Sequence, residues 1–396
     1  ESVAQISKLG ADTCMRVGQR RVVKVLGEGG FGQVLKCCNL ETGTMEAVKV
    51  MKSRTGVIEK AKHEIQILKQ LRRLDPNTRH VVRFNSFFFN MEDICLSFEF
   101  LDVDLHAYIC ETRLYETGLP LPEVRPITEQ LVMALHQLKT IGIIHVDIKP
   151  GNVMIVDRHE KPPRVKLVDF GGAQMSGNVD FETCICTQMY SAPEVLLRSE
   201  MNEALDMWSL GVTAFELAVG TPMFPYRRRY RLLNSIIKIL GQPPDHVLDK
   251  GQQTKQFFNR KTNDHPSWTI KTDVFNCFDD VAGMLSVLQE HVDPNQRITP
   301  VEALQHLFFT VKEEKGYAPK NHLFLSFAPS ILCLPSFCPF NTDKASNPLR
   351  KVSELLVFAP LSPSAVLPQS IFSIAPSQYS AYAVHAKAPL GGSIGQ

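Results

Sequence analysis

The 396-residue sequence lacks any paired cysteine pattern. Its ten cysteines include no Cys-x-x-Cys pair and no paired Cys/His spacing, so we expect free thiols in a reducing compartment rather than disulfides or a zinc site. An excess of charge of one sign is also missing, because 43 basic and 41 acidic residues leave a net charge of +2. This balance gives no reason to expect direct binding of nucleic acid.

Long apolar runs are absent as well. No segment is long and apolar enough to span a bilayer, and the N-terminus lacks the basic-then-apolar layout of a secretion signal. We therefore expect a protein of the nucleus, the cytoplasm or both, without a membrane partner.

Charge becomes scarce towards the C-terminus, and this change divides the chain. Residues 1–20 show no clear pattern and are interpreted as a leader, whereas residues 21–311 carry the regular patterns of a folded domain. Residues 312–396 are rich in Pro, Ser and Ala without steady periodicity, so we expect a mostly disordered tail, with short docking segments as an open alternative.

The densest polar motif lies at residues 145–152 and is followed by Asp169-Phe170-Gly171. Two short apolar segments between them, 153–156 and 165–168, are typical of strands. This layout places four polar side chains around one cleft: Asp147, Lys149, Asn152 and Asp169. A carboxylate that accepts a hydroxyl proton, a lysine and two oxygen ligands for Mg²⁺ are what phosphoryl transfer requires.

A glycine-rich turn precedes this motif. Its GxGxxGxV spacing lets backbone N–H groups approach phosphate oxygens with no Cβ in the way. A dinucleotide-binding turn uses a similar pattern, but a helix follows it there, and here a second strand follows. A plain glycine-rich hairpin would explain the pattern about as often. The residues of this turn that are predicted to bind the cofactor are Gly27, Glu28, Gly29, Gly30, Phe31, Gly32 and Val34.

A lysine follows the turn at a spacing that favours a functional role over that of an ordinary solvated residue on an edge strand. Lys49 lies in the strand-like segment 47–50, and apolar residues at helical spacing follow from Ile58 to Leu71. Glu64 on that helix is the predicted partner of Lys49. Glu59 is the rival partner, and a plain surface position for Glu64 stays open.

Together these motifs resemble eukaryotic protein kinases over roughly residues 20 to 310. The resemblance implies an α+β fold with a small antiparallel β N-lobe (about 21–101) and a mainly α-helical C-lobe (about 102–311). It implies ATP and Mg²⁺ as cofactors, with Lys49, held by Glu64, on the α- and β-phosphates.

The resemblance also assigns roles around the cleft. Asp147 and Lys149 are implied to be catalytic, with Asp147 accepting the substrate's hydroxyl proton and Lys149 offsetting charge on the γ-phosphoryl group. Asn152 and Asp169 are implied to hold the metal. Lys149 is typical of Ser/Thr kinases, since tyrosine kinases usually have alanine there.

The apolar segment 94–101 predicts a buried strand that runs into a connector. In kinases this connector is the hinge, whose backbone binds adenine. Phe98 is equally compatible with a simple core position. The nucleotide-binding residues implied here and on the facing strand are Ala47, Phe98, Glu99, Leu101 and, near the ribose, Asp104.

Further along, apolar periodicity predicts a helix over 126–144, with Pro126 near its first turn. It leads to His145, which we interpret as structural, packing against Phe170. A second helix, Met207–Val219, is apolar nearly all round and is predicted to be buried.

The resemblance to protein kinases also assigns three features in the second half of the domain. Ala192-Pro193-Glu194 matches the end of the activation segment, and Thr187 stands where Ser/Thr kinases have a residue facing the catalytic aspartate. Asp206 is implied to brace the catalytic loop, and Arg297 to form a buried structural pair with Glu194.

The nearer resemblance is to the homeodomain-interacting protein kinases. It rests on Val146, a small residue in place of the catalytic-loop arginine, on the insert-like segments 256–260 and 274–280, and on the buried helix segment 204–211. It implies Ser/Thr phosphorylation of transcriptional regulators, and we expect a monomer.

Departures from that family are also visible. Cys184 stands where the family has a self-phosphorylated tyrosine, and Ser191 replaces an arginine that helps to select proline after the acceptor. Without an arginine at position 146, a phosphate on the segment, at Thr183 or Thr187 for example, would lack its usual partner. We expect a divergent or truncated family member.

Three functions remain open on this sequence. An active protein kinase is favoured by the complete set of polar cleft residues, and a pseudokinase or scaffold by the altered activation segment. A small-molecule kinase fits the Ala-Pro-Glu segment less well. The basic run 227–229 is compatible with a nuclear signal, a docking patch or a plain solvated surface.

Overall fold

The computed structural model describes the following residues: 15–29, 32–52, 56–75, 78–112, 114, 117–180, 186–261, 267–271 and 293–305. Some predictions lie outside this described part: Gly30 and Phe31 of the glycine turn, Thr183, Cys184, the insert-like segment 274–280, most of the leader and the tail 312–396.

Six antiparallel strands form the N-terminal lobe: β1 (Arg16–Val17), β2 (Arg20–Gly29), β3 (Gly32–Asn39), β4 (Met45–Met51), β5 (Phe84–Asn90) and β6 (Asp93–Glu99). Their order in the sheet is β1-β2-β3-β4-β6-β5. One face packs a small apolar core that includes Cys37 and Cys95. Burial raises the pKa of these thiols to about 11 and about 12, so both stay protonated near neutral pH.

Helix α1 (Val57–Leu71) follows the sheet and has the predicted apolar face. Ala61, Ile65 and Leu68 are buried, while Ile58 at its start is exposed. Because Glu64 lies on this buried face, the helix carries a carboxylate into the space between the lobes.

Helices dominate the C-terminal lobe: α2 (Leu105–Glu111), α3 (Leu121–Thr140), α4 (Pro193–Leu197), α5 (Ala204–Val219), α6 (Arg229–Leu240), α7 (Asp245–Lys250), α8 (Thr254–Phe257) and α9 (Pro300–Gln305). Short strands lie among them: β7 (Val103–Asp104), β8 (Ile143–Ile144), β9 (Val153–Ile155), β10 (Val165–Leu167), β11 (Gln174–Met175), β12 (Phe258–Lys261) and β13 (Ser267–Ile270). None of the helices in the described part of the chain combines the length and hydropathy needed to cross a bilayer.

Helix α3 begins earlier than predicted. It spans Leu121–Thr140 rather than the predicted 126–144, so Pro126 lies inside the helix, and Ile143–Ile144 form strand β8 instead of the helix end. Leu121 and Val124 are both buried, and their packing extends the helix although Pro126 cannot donate a backbone hydrogen bond. Helix α5 is buried along nearly its whole length, as predicted.

The antiparallel pair β9–β10 brings the two polar motifs close together. Val153 pairs with Leu167 at one end of this ribbon. Asn152 directly precedes β9, and Asp169 follows β10 by two residues, so the ribbon holds both side chains at the same end.

Candidate active site

The register of the sheet puts four predicted nucleotide-binding residues on one face. Val34 stands opposite Lys49, and Ala47 stands opposite Phe98. Ala47 and Lys49 are two residues apart on β4, so their side chains point to the same side. All four are half-buried. Because Lys49 reaches Asp169 of the C-terminal lobe from this face, we call the face the roof of the cleft between the lobes.

The glycine turn shows two different uses of glycine. Gly32 has φ +153°, and a Cβ there would lie 1.8 Å from the carbonyl oxygen of Val50, so the sheet itself requires glycine at this position. A Cβ added at Gly27 or Gly29 would meet no atom within 4 Å, which leaves open space beside their backbone. Glu28 is exposed and lies 3.7 Å from Lys52.

Lys49 joins two carboxylates across the cleft. Its Nζ lies 2.8 Å and 3.0 Å from the two carboxylate oxygens of Glu64 and 2.9 Å from Oδ1 of Asp169. Glu59, the rival partner, instead pairs with Lys62 on the exposed side of α1. The structure therefore selects Glu64.

This arrangement determines the charges of Lys49 and Asp169. Desolvation alone would lower the pKa of Lys49, but Glu64 and Asp169 together raise it. Desolvation alone would raise the pKa of Asp169, but the ammonium group of Lys49 lowers it overall. Both groups are therefore charged at neutral pH.

Asp147 is held by three donors from three parts of the chain. Its Oδ2 accepts hydrogen bonds from Lys149 Nζ at 2.6 Å and from Asn152 Nδ2 at 2.9 Å, and its Oδ1 accepts one from the backbone N–H of Thr187 at 2.8 Å. Lys149 also donates to the Thr187 hydroxyl at 2.7 Å. These contacts orient the carboxylate at the floor of the cleft.

The donor set fits a magnesium ion. The amide group of Asn152 donates to the carbonyl and carboxylate oxygens of Asp147, which leaves its own Oδ1 available. The side chain of Asp169 is 52% exposed, and one of its oxygens is bound to Lys49. Within the described segments no group of three or more His, Cys, Asp or Glu side chains could hold a metal. Two oxygen ligands suit Mg²⁺, which keeps several waters.

Backbone strain in the loop that carries Asp147 is stabilised from α5. Val146 has φ +76°, an unfavourable conformation for a β-branched residue. Asp206 accepts hydrogen bonds from the backbone N–H groups of His145 at 2.7 Å and Val146 at 2.8 Å. This buried carboxylate therefore holds the strained turn that presents Asp147.

His145 has the structural place that we expected. Its Nε2 donates to the carbonyl oxygen of Val168 at 3.0 Å, and its ring lies edge-on to Phe170 with centroids 4.8 Å apart. It links the two polar motifs and does not face the cleft as a proton carrier.

The connector after β6 leaves a backbone edge free. No hydrogen bond within the described residues uses the backbone N–H or carbonyl of Leu101. The backbone N–H of Glu99, in contrast to that of Leu101, donates a hydrogen bond to the carbonyl oxygen of Arg83. The side chain of Glu99 accepts a hydrogen bond from Lys166. Asp104 caps α2 by accepting from the N–H of Ala107, a structural use that leaves its second oxygen for another ligand.

One residue of the site carried no recognised sequence signal. His63 Nε2 donates to the carbonyl oxygen of Ala173 at 2.7 Å, which ties α1 to the segment after Asp169. His63 directly precedes Glu64, so this bond helps to set the helix that carries the Lys49 partner. Its adjacency to Glu64 was the available signal, but a histidine on an exposed helix face is usually uninformative.

Comparison with known proteins agrees with this geometry. Residues 20–309 match the family described as protein kinase domain. The chain is 31% identical over 361 residues to homeodomain-interacting protein kinase 2 of Mesocricetus auratus, covering 81% of this chain and 31% of that protein. It is 37% identical over 257 residues to homeodomain-interacting protein kinase 4 of Mus musculus, covering 63% and 41%.

A nematode relative extends the match. Homeodomain-interacting protein kinase 1 of Caenorhabditis elegans is 29% identical over 389 residues, covering 85% of this chain and 46% of that protein. The chain thus spans about a third to a half of the length of these relatives. The chain belongs to the protein kinase family and is similar to its homeodomain-interacting members.

Proposed function

We propose that the protein is an active serine/threonine kinase that transfers the γ-phosphoryl group of ATP in the presence of Mg²⁺. The observation that carries this proposal is the geometry of Asp147. Its carboxylate is oriented by Lys149, Asn152 and Thr187 in the cleft that also contains the Lys49–Glu64–Asp169 contacts.

ATP binding uses the roof of the cleft. The free backbone edge at Leu101 hydrogen-bonds adenine, and Val34, Ala47 and Phe98 pack around the base. Lys49 binds the α- and β-phosphates, and the backbone at Gly27 and Gly29 covers them. Asn152 and Asp169 would hold a magnesium ion, which would supply positive charge to offset that of the phosphates.

The floor of the cleft performs the transfer. Asp147 orients the substrate hydroxyl and accepts its proton as the oxygen forms a bond to the γ-phosphorus and the bond to the β-phosphate oxygen breaks, releasing ADP. Lys149, 2.6 Å from Asp147, offsets charge on the γ-phosphoryl group. Catalysis here is positioning and electrostatic stabilisation.

The end of the activation segment, from Thr187 to Ala192, is held in place although position 146 has no phosphate-binding arginine. Val146 is buried in an apolar cluster that also contains Tyr190 and Ala192 of the segment. The N–H of Thr187 binds Asp147 directly, and the Tyr190 hydroxyl donates to Glu216 at 2.6 Å. We infer that activity does not depend on phosphorylation of this segment.

The substrates are protein serines and threonines. The names of the relatives state that they interact with homeodomain proteins. We extend this to the proposal that this chain phosphorylates transcriptional or signalling regulators in the nucleus or the cytoplasm, and that it acts as a monomer. Because Ser191 stands in place of an arginine, the experiment below also tests whether the acceptor must be followed by proline.

A scaffold function is the competing proposal. Val146 and Ser191 favour it, because both replace residues that usually serve catalysis or substrate selection. The ordered contacts of Asp147 and Lys49 favour activity, because a scaffold has no chemical use for them.

The test is γ-phosphate transfer from Mg-ATP to an array of Ser, Thr and Tyr peptides, with and without proline after the acceptor. We expect transfer to Ser and Thr, and none by an Asp169→Ala variant that keeps its fold by circular dichroism. Wild-type protein that binds ATP but transfers nothing would favour the scaffold proposal. Undiminished turnover by the variant would contradict the assignment of Asp169.

His63 provides a second test, as a positioning residue. We expect His63→Ala to lower kcat about fivefold, the equivalent of about 1 kcal/mol for one hydrogen bond, with little change in Tm. His63→Gln keeps an N–H donor and should recover much of the loss. Equal kcat values for the Ala and Gln variants would show that the bond to Ala173 does not set the helix.

A further inference from the structure

Four arginines lie within five residues at the start of α6. Arg227 precedes the helix, Arg228 is its N-cap, and Arg229 and Arg231 lie in its first turn. We call Arg227, Arg228, Arg229 and Arg231 the arginine cluster. Three of its members are exposed, and Arg229 is half-buried.

This placement is electrostatically unfavourable within the protein. The first turn of α6 contains no acidic residue, although α1, α4, α5 and α7 each have one there. Cations at the positive end of a helix dipole are destabilising, and neighbouring like charges repel each other. Among the described residues no carboxylate forms an ion pair with Arg227, Arg228 or Arg231.

The cluster lies beside the acceptor end of the active site. The guanidinium group of Arg229 donates to the carbonyl oxygen of Leu196 in α4, directly after the Ala-Pro-Glu segment. Helix α6 packs against α4 and against the turn Gln188–Tyr190. That turn begins next to Thr187, whose N–H binds the carboxylate of Asp147. The exposed arginines therefore lie at the start of a helix that packs beside the turn next to Thr187, so a peptide whose acceptor hydroxyl reaches Asp147 would pass near them.

We propose that the arginine cluster binds acidic or phosphorylated side chains of the protein substrate, close to the residue that receives the phosphate. The proposal rests on the proposed kinase function and adds a substrate class to it. An anionic side chain would relieve the repulsion among the arginines, and the planar guanidinium group binds carboxylate and phosphate oxygens in pairs. Nucleic acid fits less well, because the net charge is only +2 and the cluster is confined to one helix end.

The experiment compares pairs of peptides with one Ser acceptor. In each pair a flanking position carries Asp, Glu or phosphoserine in one peptide and Asn or Gln in the other, scanned along both sides of the acceptor. We expect the wild type to prefer the acidic peptide at one or more positions, with kcat/KM higher on the order of tenfold, the effect of two or three exposed ion pairs. The preference should weaken as salt is added.

Two variants distinguish an effect of the arginine cluster from an effect of positive charge elsewhere on the protein. Replacing Arg227, Arg228 and Arg231 with alanine should bring the acidic-to-neutral ratio close to one. Arg229 stays, because its bond to Leu196 is structural. The control replaces Arg16, Arg21 and Lys24 with alanine, which removes three exposed positive charges from the sheet of the other lobe. The control should keep the wild-type ratio.

The outcomes distinguish the two proposals. Equal ratios in the wild type and the cluster variant, with robust transfer, would overturn the inference and leave the kinase function intact. Absence of transfer to every peptide would count against the kinase function, and fluorescence anisotropy with a labelled phosphoserine peptide would then test the surface directly. Undiminished peptide binding by the cluster variant, or stronger cluster-dependent binding of a DNA duplex, would overturn the inference.

Discussion

Replacing Asp147 with asparagine should lower kcat by about 10²–10⁴-fold, the usual contribution of a positioned proton acceptor. The amide is nearly the same size as the carboxylate, but it cannot accept the hydroxyl proton of the substrate. It also cannot satisfy all three donors that converge on the native carboxylate from Lys149, Asn152 and Thr187. Single-turnover kinetics with saturating Mg-ATP would measure the effect on the transfer step.

Binding and folding should change little in this variant. Among the described residues no hydrogen bond or ion pair joins Asp147 to Lys49, Glu64 or Asp169, so the Kd for ATP should stay within a few-fold of the wild type. Asp157→Asn is the matched control, since Asp157 is an exposed carboxylate of the same lobe. A variant at Asp147 with near-native kcat would show that another group accepts the proton.

Breaking the buried pair of Glu194 and Arg297 should destabilise the protein by about 3–5 kcal/mol. The two guanidinium nitrogens of Arg297 lie 2.6 Å and 3.1 Å from the two oxygens of Glu194, and both side chains are 1–2% exposed. Arg297→Met would leave the carboxylate of Glu194 buried without its cation. Arg297 also donates to the carbonyl of Ala204 and lies over the ring of Trp208, so the variant loses these contacts too.

Denaturant unfolding would measure this loss, with an exposed pair as the matched control. Lys250 and Glu200 lie 3.0 Å apart with side chains 55% and 74% exposed, so Lys250→Met should change stability by less than about 1 kcal/mol. The double variant Glu194→Gln/Arg297→Met should be less destabilised than the sum of the single variants, because it leaves no unpaired charge behind. Equal effects of Arg297→Met and Lys250→Met would contradict a structural role for the buried pair.

Much of the fold could be predicted from the sequence because its signals are local. Local apolar patterns predicted the strands on either side of the glycine turn and at residues 47–50 and 94–101, which correspond to β2, β3, β4 and β6, although β1 and β5 were not predicted. The apolar run Met207–Val219 predicted the buried helix α5. Helix α3 was harder, since Pro126 is usually a sign of a helix start. Its true beginning at Leu121 depends on buried packing that periodicity over one segment does not contain.

The site, too, could be predicted only in part from the sequence. Motif spacing alone was enough to bring Asp147, Lys149, Asn152 and Asp169 to one cleft, because two short strands must return the chain to the same end. Glu64 was predicted as the partner of Lys49 with Glu59 as its rival, and the orientation of α1 relative to β4 excludes the rival.

The sequence by itself determined the glycine turn and the types of side chain available for phosphoryl transfer, and its resemblance to protein kinases implied the two lobes. Only the tertiary structure decided that Lys49 contacts Asp169, 120 residues further along the chain, and that His63 contacts Ala173, 110 residues further along. It also decided that helix α6, which begins with the arginine cluster, packs against the turn beside Thr187. The physical reason is that periodicity reports which side of one element is apolar. Contacts between distant segments depend on how several elements pack at once, and no single segment encodes that packing.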